Sequence, residues 1–174
     1  MAEVEYTKHL PIAFAKTIES LEPVATALLQ VLSFLYGGSV PEEILTLGAK
    51  KVDLEHYPST KATYLEAHKY LIRSSLITKN LQVGILRIYR LVQDVVRQRL
   101  DKTEFKTSFD ASTVLLSEVW PFVDNSNLNE VDRLRKVQKY QPQVSKLRDI
   151  LVAKGVDTVK ASLLIAALLN ESAW

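Results

Sequence analysis

A mainly helical chain interrupted by one short β-hairpin is predicted by three observations. Apolar residues recur at the 3.6-residue helical period through most of the 174 positions. The period changes to alternation only across Leu76–Thr78 and Ile85–Tyr89, with the glycine-containing stretch 80–84 between them. Prolines and glycines bracket the helical stretches: Pro11, Pro23 and Pro41 stand at their starts, and Gly37, Gly38, Gly48 and Gly155 at their ends.

The first helix is predicted over Leu10–Leu21, with Pro11 in its first turn and Ala13, Phe14, Ile18 and Leu21 on its apolar face. Pro23–Tyr36 is apolar almost all round, which predicts a buried central helix stopped by Gly37 and Gly38. A short helix is predicted from Pro41 to Leu47, capped by Ser39, with Glu42 and Glu43 at the positive end of its dipole. Residues 49–60 are polar and read as a surface loop, and Lys61–Ser74 restores the helical spacing through Tyr64, Leu65, His68, Leu71 and Ile72. The second hairpin strand runs directly into a helix carrying Leu91, Val92, Val95, Val96 and Leu100. A helix from about Phe105 to Val119 is closed by Trp120 and Pro121, because the residue before a proline is driven out of the helical region. After a polar linker at 124–129, Val131, Leu134 and Val137 mark one helix, and Val144, Leu147, Ile150 and Leu151 another. From Thr158 the stripe Val159, Leu163, Leu164, Ala167 and Leu168 is still running at Trp174, which predicts a truncated structural unit.

Composition excludes several classes. With 22 Lys and Arg against 20 Asp and Glu, the formal charge is +2, too balanced to imply nucleic acid. The absence of cysteine removes disulfide scaffolds, thiolate zinc sites and thiol nucleophiles together. Glu3 and Glu5 stand where a secretory signal carries basic residues, and the longest apolar run, Leu163–Leu169, is far shorter than the ~20 residues of a membrane span. A cytoplasmic protein without membrane contact is the expectation. No Gly-x-x-x-x-Gly-Lys-Ser/Thr stretch occurs, and no Gly-x-Ser-x-Gly turn presents a serine, so no enzyme activity is predicted. Asp53, Glu55, His56 and His68 lack the tight spacing of a metal site, and none is predicted.

Three helices, a hairpin and a further helix follow the order of a winged helix. The stretches Leu32–Leu35, Val40–Leu45, Leu71–Ile77 and Ile88–Gln93 resemble, in order and spacing, the winged-helix segment of fungal NLR-like STAND NTPases (the NB-ARC and NACHT type). Trp120–Pro121, Tyr140–Val144 and Leu168–Trp174 resemble the bridge from that segment into a first tetratricopeptide repeat. The resemblance implies a winged-helix domain over residues 1–101, a helical bridge over 102–157 and a truncated first repeat helix over 158–174. It implies a non-catalytic regulatory segment, with an upstream NTPase core and downstream repeats as partners. The winged helix would pack on the ADP- or ATP-bound core and hold its resting state. No cofactor belongs to this chain itself, and both family neighbours lie outside it, which predicts a fragment or split-gene product.

By the same resemblance Tyr89 and Arg90 lie nearest the nucleotide. Tyr89 replaces a family histidine that reaches the diphosphate; its hydroxyl donates a hydrogen bond but stays neutral below a pKa of ~10. Gln143 stands where the family often has histidine and is expected to pack. Read from the residues alone, Tyr89 packs on the hairpin and Arg90 is solvated beside Asp94. A DNA-binding winged helix is the rival from another class. Glu42 and Glu43 on the candidate recognition helix would repel phosphates, and Lys69, Arg73, Arg87, Arg90, Arg97 and Arg99 read as solvent-facing. An adaptor that associates with itself or a relative through Val159, Leu163, Leu164, Leu168 and Trp174 is the second alternative, since an orphaned repeat helix cannot bury its face alone.

Overall fold

The computed structural model describes residues 12–123, 129–154 and 163–172. They form a mainly helical fold with one small antiparallel sheet. In chain order the elements are α1 (residues 12–19), α2 (Pro23–Phe34), β1 (Val40–Pro41), α3 (Glu42–Thr46), a 3-10 turn (Ala49–Lys51), α4 (Lys61–Arg73), β2 (Ile77–Asn80), β3 (Ile85–Ile88), α5 (Arg90–Arg99), α6 (Lys102–Val119), α7 (Glu130–Lys154) and α8 (Leu163–Ser172). Among the described residues no helix is long and apolar enough to cross a membrane.

The apolar-all-round helix α2 is the centre of the molecule, as expected. Ala25, Ala27, Leu28, Leu29, Val31, Leu32 and Phe34 are buried, and α4, α5 and α6 surround it. Burial on every side is why the stripe is so wide: each face meets a different neighbour. At its C-terminal end the Phe34 ring meets Phe105 and Phe109 edge-on, at centroid distances of 4.9 and 5.9 Å. One continuous apolar core runs from there through Leu115 and Leu116 to Leu147, Ile165 and Leu168.

The sheet has the order β1-β3-β2. In the hairpin Ile77 pairs with Ile88 and Thr78 with Arg87, so Ile77, Leu86 and Ile88 face the core while Arg87 faces out. The connecting loop turns at Gly84, whose φ of +62° is open to glycine without a Cβ penalty. Its start is set by Asn80, whose Oδ1 accepts from the Gln82 amide at 3.0 Å.

Strand β1 is a correction to the sequence reading, which placed Pro41 inside a helix. Two residues carry no detectable alternation, and Val40 and Pro41 pair with Leu86 and Ile85 at the sheet edge. An edge tolerates a residue without an N–H. Pro41 also takes the cap position of α3 with no side-chain bond, so Ser39 is not the cap; the Glu42 amide instead donates to the Gly84 carbonyl at 3.1 Å.

Helix α6 begins a turn before the predicted start. Asp101 Oδ1 accepts from the Thr103 and Glu104 amides at 2.7 and 2.8 Å, and Glu104 Oε2 accepts from the Asp101 amide at 2.9 Å, a reciprocal cap. Its end at Trp120 is as predicted, with an extended backbone before Pro121. The two helices expected after the linker are one: α7 runs unbroken through Pro142. An interior proline costs about 3 kcal/mol. The buried face Tyr140, Gln143, Val144, Leu147, Ile150 and Leu151 keeps the helix seated on both sides of it. Asn129 caps the start of α7 by accepting from the Asp132 amide at 2.9 Å.

The expectation of an unpartnered terminal helix is also corrected. Helix α8 packs on α6 and α7, burying Ile165 and Leu168. Arg133 of α7 reaches Glu171 at 3.0 Å. The predicted interaction stripe is therefore divided: Leu168 belongs to this chain's own core, while Leu163 and Leu164 are exposed. Val159 and Trp174 lie outside the described residues.

Candidate functional site

Polar chemistry concentrates at the junction of β3 and α5, where the sequence reading put its site residues. Tyr89 is the residue before α5, with an extended backbone and no side-chain cap on the helix. The residue is 61% exposed and the Arg90 side chain 89%, with the Arg90 Nε 3.8 Å from Asp94 Oδ2. An α-helix whose first turn carries no acidic residue and no side-chain cap leaves amide donors and a positive dipole end open.

Tyr89 and Arg90 line a cleft of about 790 Å³. Its floor is the Tyr36–Gly38 turn, one wall carries Thr78 and Arg87 of the hairpin, and the opposite wall carries Lys146 and Asp149 of α7. The chain is held together here by two glutamines. Gln93 of α5, 2% exposed, donates from Nε2 to the carbonyls of Leu32 and Leu35, both at 2.8 Å, and so satisfies the end of α2. Gln143 of α7, fully buried, accepts from the Tyr36 amide at 2.7 Å and donates to the Ser39 carbonyl at 2.5 Å. It packs, as expected, and also carries these two bonds. The Ile88 amide completes the clamp by donating to the Gly37 carbonyl at 2.9 Å.

The electrostatics of the cleft are lopsided. Burial, together with the Arg97 and Arg90 charges, holds the Lys146 ammonium below the ordinary lysine value, while Asp94 and Asp149 oppose the shift. Arg97 itself is tied inward, donating to the Ser33 carbonyl and to Asp94. Asp149 is shared with Arg148 at 3.3 Å. Arg87, Arg90 and Lys146 thus line one cleft with Asp149, and Asp94 stands beside Arg90. Lys146, Asp149 and the Gly37–Gly38 floor were missed by the sequence reading. Proximity of residue 146 to residue 89 is a long-range packing fact that no local periodicity carries.

The acidic residues of α3 are placed otherwise than expected. Instead of facing outward, Glu42 accepts from the Tyr64 hydroxyl at 2.9 Å and meets Lys79 at 2.7 Å. Glu43 meets Lys139 at 2.7 Å and accepts from the Tyr140 hydroxyl. Burial pushes the Glu43 carboxyl up, but these partners outweigh it and its pKa is lowered. The expected solvent-facing set is also divided: Arg97 is bound within the chain and Arg99 reaches Glu19 at 2.6 Å.

Beside Glu42 lies a buried histidine. His68 stacks on the Tyr64 ring at 5.7 Å, and its Nε2 is buried without a partner. Burial lowers its pKa from 6.5, Lys79 adds to the lowering, and Glu42 opposes it. The unfolded chain therefore takes up this proton first as pH falls. The stabilisation is complete above the unfolded-state value and is lost as pH drops below it toward the lowered folded-state value. Urea unfolding at pH 7.5 and 5.5 should show a loss of stability that His68→Phe, which keeps the stack, reduces. An identical loss in both proteins would remove His68 as its source. His56, by contrast, is exposed beside Glu55 at 3.3 Å, and among the described residues no group of three or more His, Asp or Glu is arranged to hold a metal ion.

Together these features define a helical domain with a small antiparallel sheet and a cationic cleft at its strand-to-helix junction. The chain belongs to the family described as a domain of unknown function, DUF7779, whose model matches residues 16–105, just over half of the chain. The match runs from within α1 to the first turn of α6 and includes both Tyr89 and Arg90. Neither a curated protein nor a solved structure matches the chain.

Proposed function

We propose that this chain is a non-catalytic regulatory segment of a STAND-type signalling NTPase: a winged helix that packs on an ADP- or ATP-bound core and holds its resting state, followed by the start of a tetratricopeptide array. The observation that carries this reading is the exposed Tyr89–Arg90 pair, opening α5 over a cleft where Arg87 and Lys146 add positive charge. A diphosphate held by the core and facing this junction would meet a hydroxyl donor, guanidinium and ammonium groups, and the open amide end of a helix. The edge strand β1 and the hairpin β2–β3 form a sheet of the kind a winged helix carries.

The mechanism that follows is a population shift. Contacts from Tyr89 and Arg90 to the diphosphate exist only when the segment is docked, so they favour the closed, ADP-retaining state by their own free energy. Tyr89→His supplies a donor that becomes charged near neutral pH, and a hydrogen bond to a charged group contributes about 1.5–3 kcal/mol. With the segment grafted onto an intact STAND-type core, Tyr89→His should slow ADP release roughly tenfold, since ~1.4 kcal/mol is a factor of ten. Equal release rates for the two grafts, followed with a fluorescent ADP analogue, would sink this reading.

A further inference from the structure

We infer that α7 is a regulatory wall of the Tyr89–Arg90 cleft: Lys146 is an additional anion contact, Gln143 is the positioning residue that seats it, and phosphate binding is thereby coupled to the seating of α7. This rests on the reading of the cleft as facing a phosphate, and it concerns how that site is controlled.

Two observations carry it. Gln143 and Lys146 are three residues apart on α7 and therefore share a face. Gln143 uses both ends of its amide on the turn that floors the cleft, accepting from the Tyr36 amide and donating to the Ser39 carbonyl. Lifting α7 from this turn would break both bonds. One turn further on, Lys146 lines the same cleft. Among the described residues it makes no ion pair or hydrogen bond; burial and the charges of Arg97 and Arg90 disfavour its ammonium, and Asp94 and Asp149 offset them in part. Arg87 of β3 lines the same cleft. A multiply charged oxyanion between the walls relieves that repulsion only while α7 is seated and Lys146 is within reach. By linkage, whatever unseats α7 weakens the anion, and the anion holds α7 down by the same factor.

The test uses the full chain and inorganic pyrophosphate at low salt. Titration calorimetry should show binding that Lys146→Ala weakens by about fivefold or more, the lower end of ordinary coupling, and that Lys146→Arg restores. Gln143→Leu should weaken it comparably with Lys146 intact. Pyrophosphate should slow amide hydrogen exchange across residues 143–151 in the wild type but not in Lys146→Ala. Should Gln143→Leu not fold, the Lys146 pair and the exchange measurement decide. Unchanged affinity in Lys146→Ala, or binding with no slowing in α7, overturns the inference. If Arg90→Ala weakens binding while Lys146→Ala does not, the phosphate-facing cleft stands and the role of α7 falls. No binding by the wild type rejects the inference, and the ADP-release experiment then judges the wider reading by itself.

Discussion

Replacing Phe34 with alanine is expected to lower the unfolding free energy by about 3–5 kcal/mol, the range for deleting a fully buried phenylalanine. Three features put this position at the upper part of that range. Its side chain has no solvent exposure. Its ring makes edge-on contacts with both Phe105 and Phe109, and each such pair adds about 0.5–1.5 kcal/mol beyond area burial. Collapse around the deletion is also restrained, because α2 is held at this end by the Gln93 amide on the Leu32 and Leu35 carbonyls. Against a total stability of about 5–15 kcal/mol, such a loss leaves a marginal protein. Urea unfolding followed by far-UV circular dichroism measures it. A change below about 1 kcal/mol would show that α6 is not locked to α2 through these rings.

The second large effect is expected at Gly37, and its size is decided by comparison with Gly38. A Cβ on Gly37 would stand 2.5 Å from the Ile88 carbonyl oxygen and 3.1 Å from Gln93 Oε1. The nearest obstacle is backbone belonging to a paired strand, so it cannot rotate away. The turn must move off β3 and loosen the Ile88 amide bond to the Gly37 carbonyl. Overpacking of this kind costs about 1–3 kcal/mol, and a value near the top of that range is expected for Gly37→Ala. At Gly38 the nearest atoms, at 3.0 Å, are the outer end of the exposed Tyr36 ring, which can swing aside. Gly38→Ala should therefore cost well under 1 kcal/mol. Equal costs for the two variants, from matched urea titrations, would contradict the close approach of the turn to β3. Because the same turn floors the cleft, Gly37→Ala also tests whether the floor must be rigid for Tyr89 and Arg90 to stay in place.

Both predictions depend on contacts that link distant parts of the chain, and this marks what could be read in advance. The central helix was legible because Val24 to Leu35 is apolar on every side, a pattern that only a surrounded helix satisfies. The hairpin was legible because the period switches to two at Leu76 and back to 3.6 at Leu91. The site residues Tyr89 and Arg90 were legible as a position, at the step from strand to helix. Strand β1 was not, because two residues hold no period. Nor was the continuity of α7 through Pro142, where a local breaker is outweighed by a buried face on both sides. The outward placement expected for Glu42 and Glu43 failed for a similar reason: Lys79 and Lys139, which draw them in, are remote in sequence.

Local chemistry written along this chain thus determined by itself where the central helix and the hairpin lie, which faces are apolar and where strand passes into helix, since those follow from neighbours a few residues apart. Only the tertiary structure decided that Lys146 faces Arg90, that Gln143 holds the Tyr36–Ser39 turn and that Leu168 is buried within the chain. Such pairings arise when elements pack to remove apolar area from water, and the partner of a given side chain is then set by the shape of the whole core rather than by its neighbours in sequence.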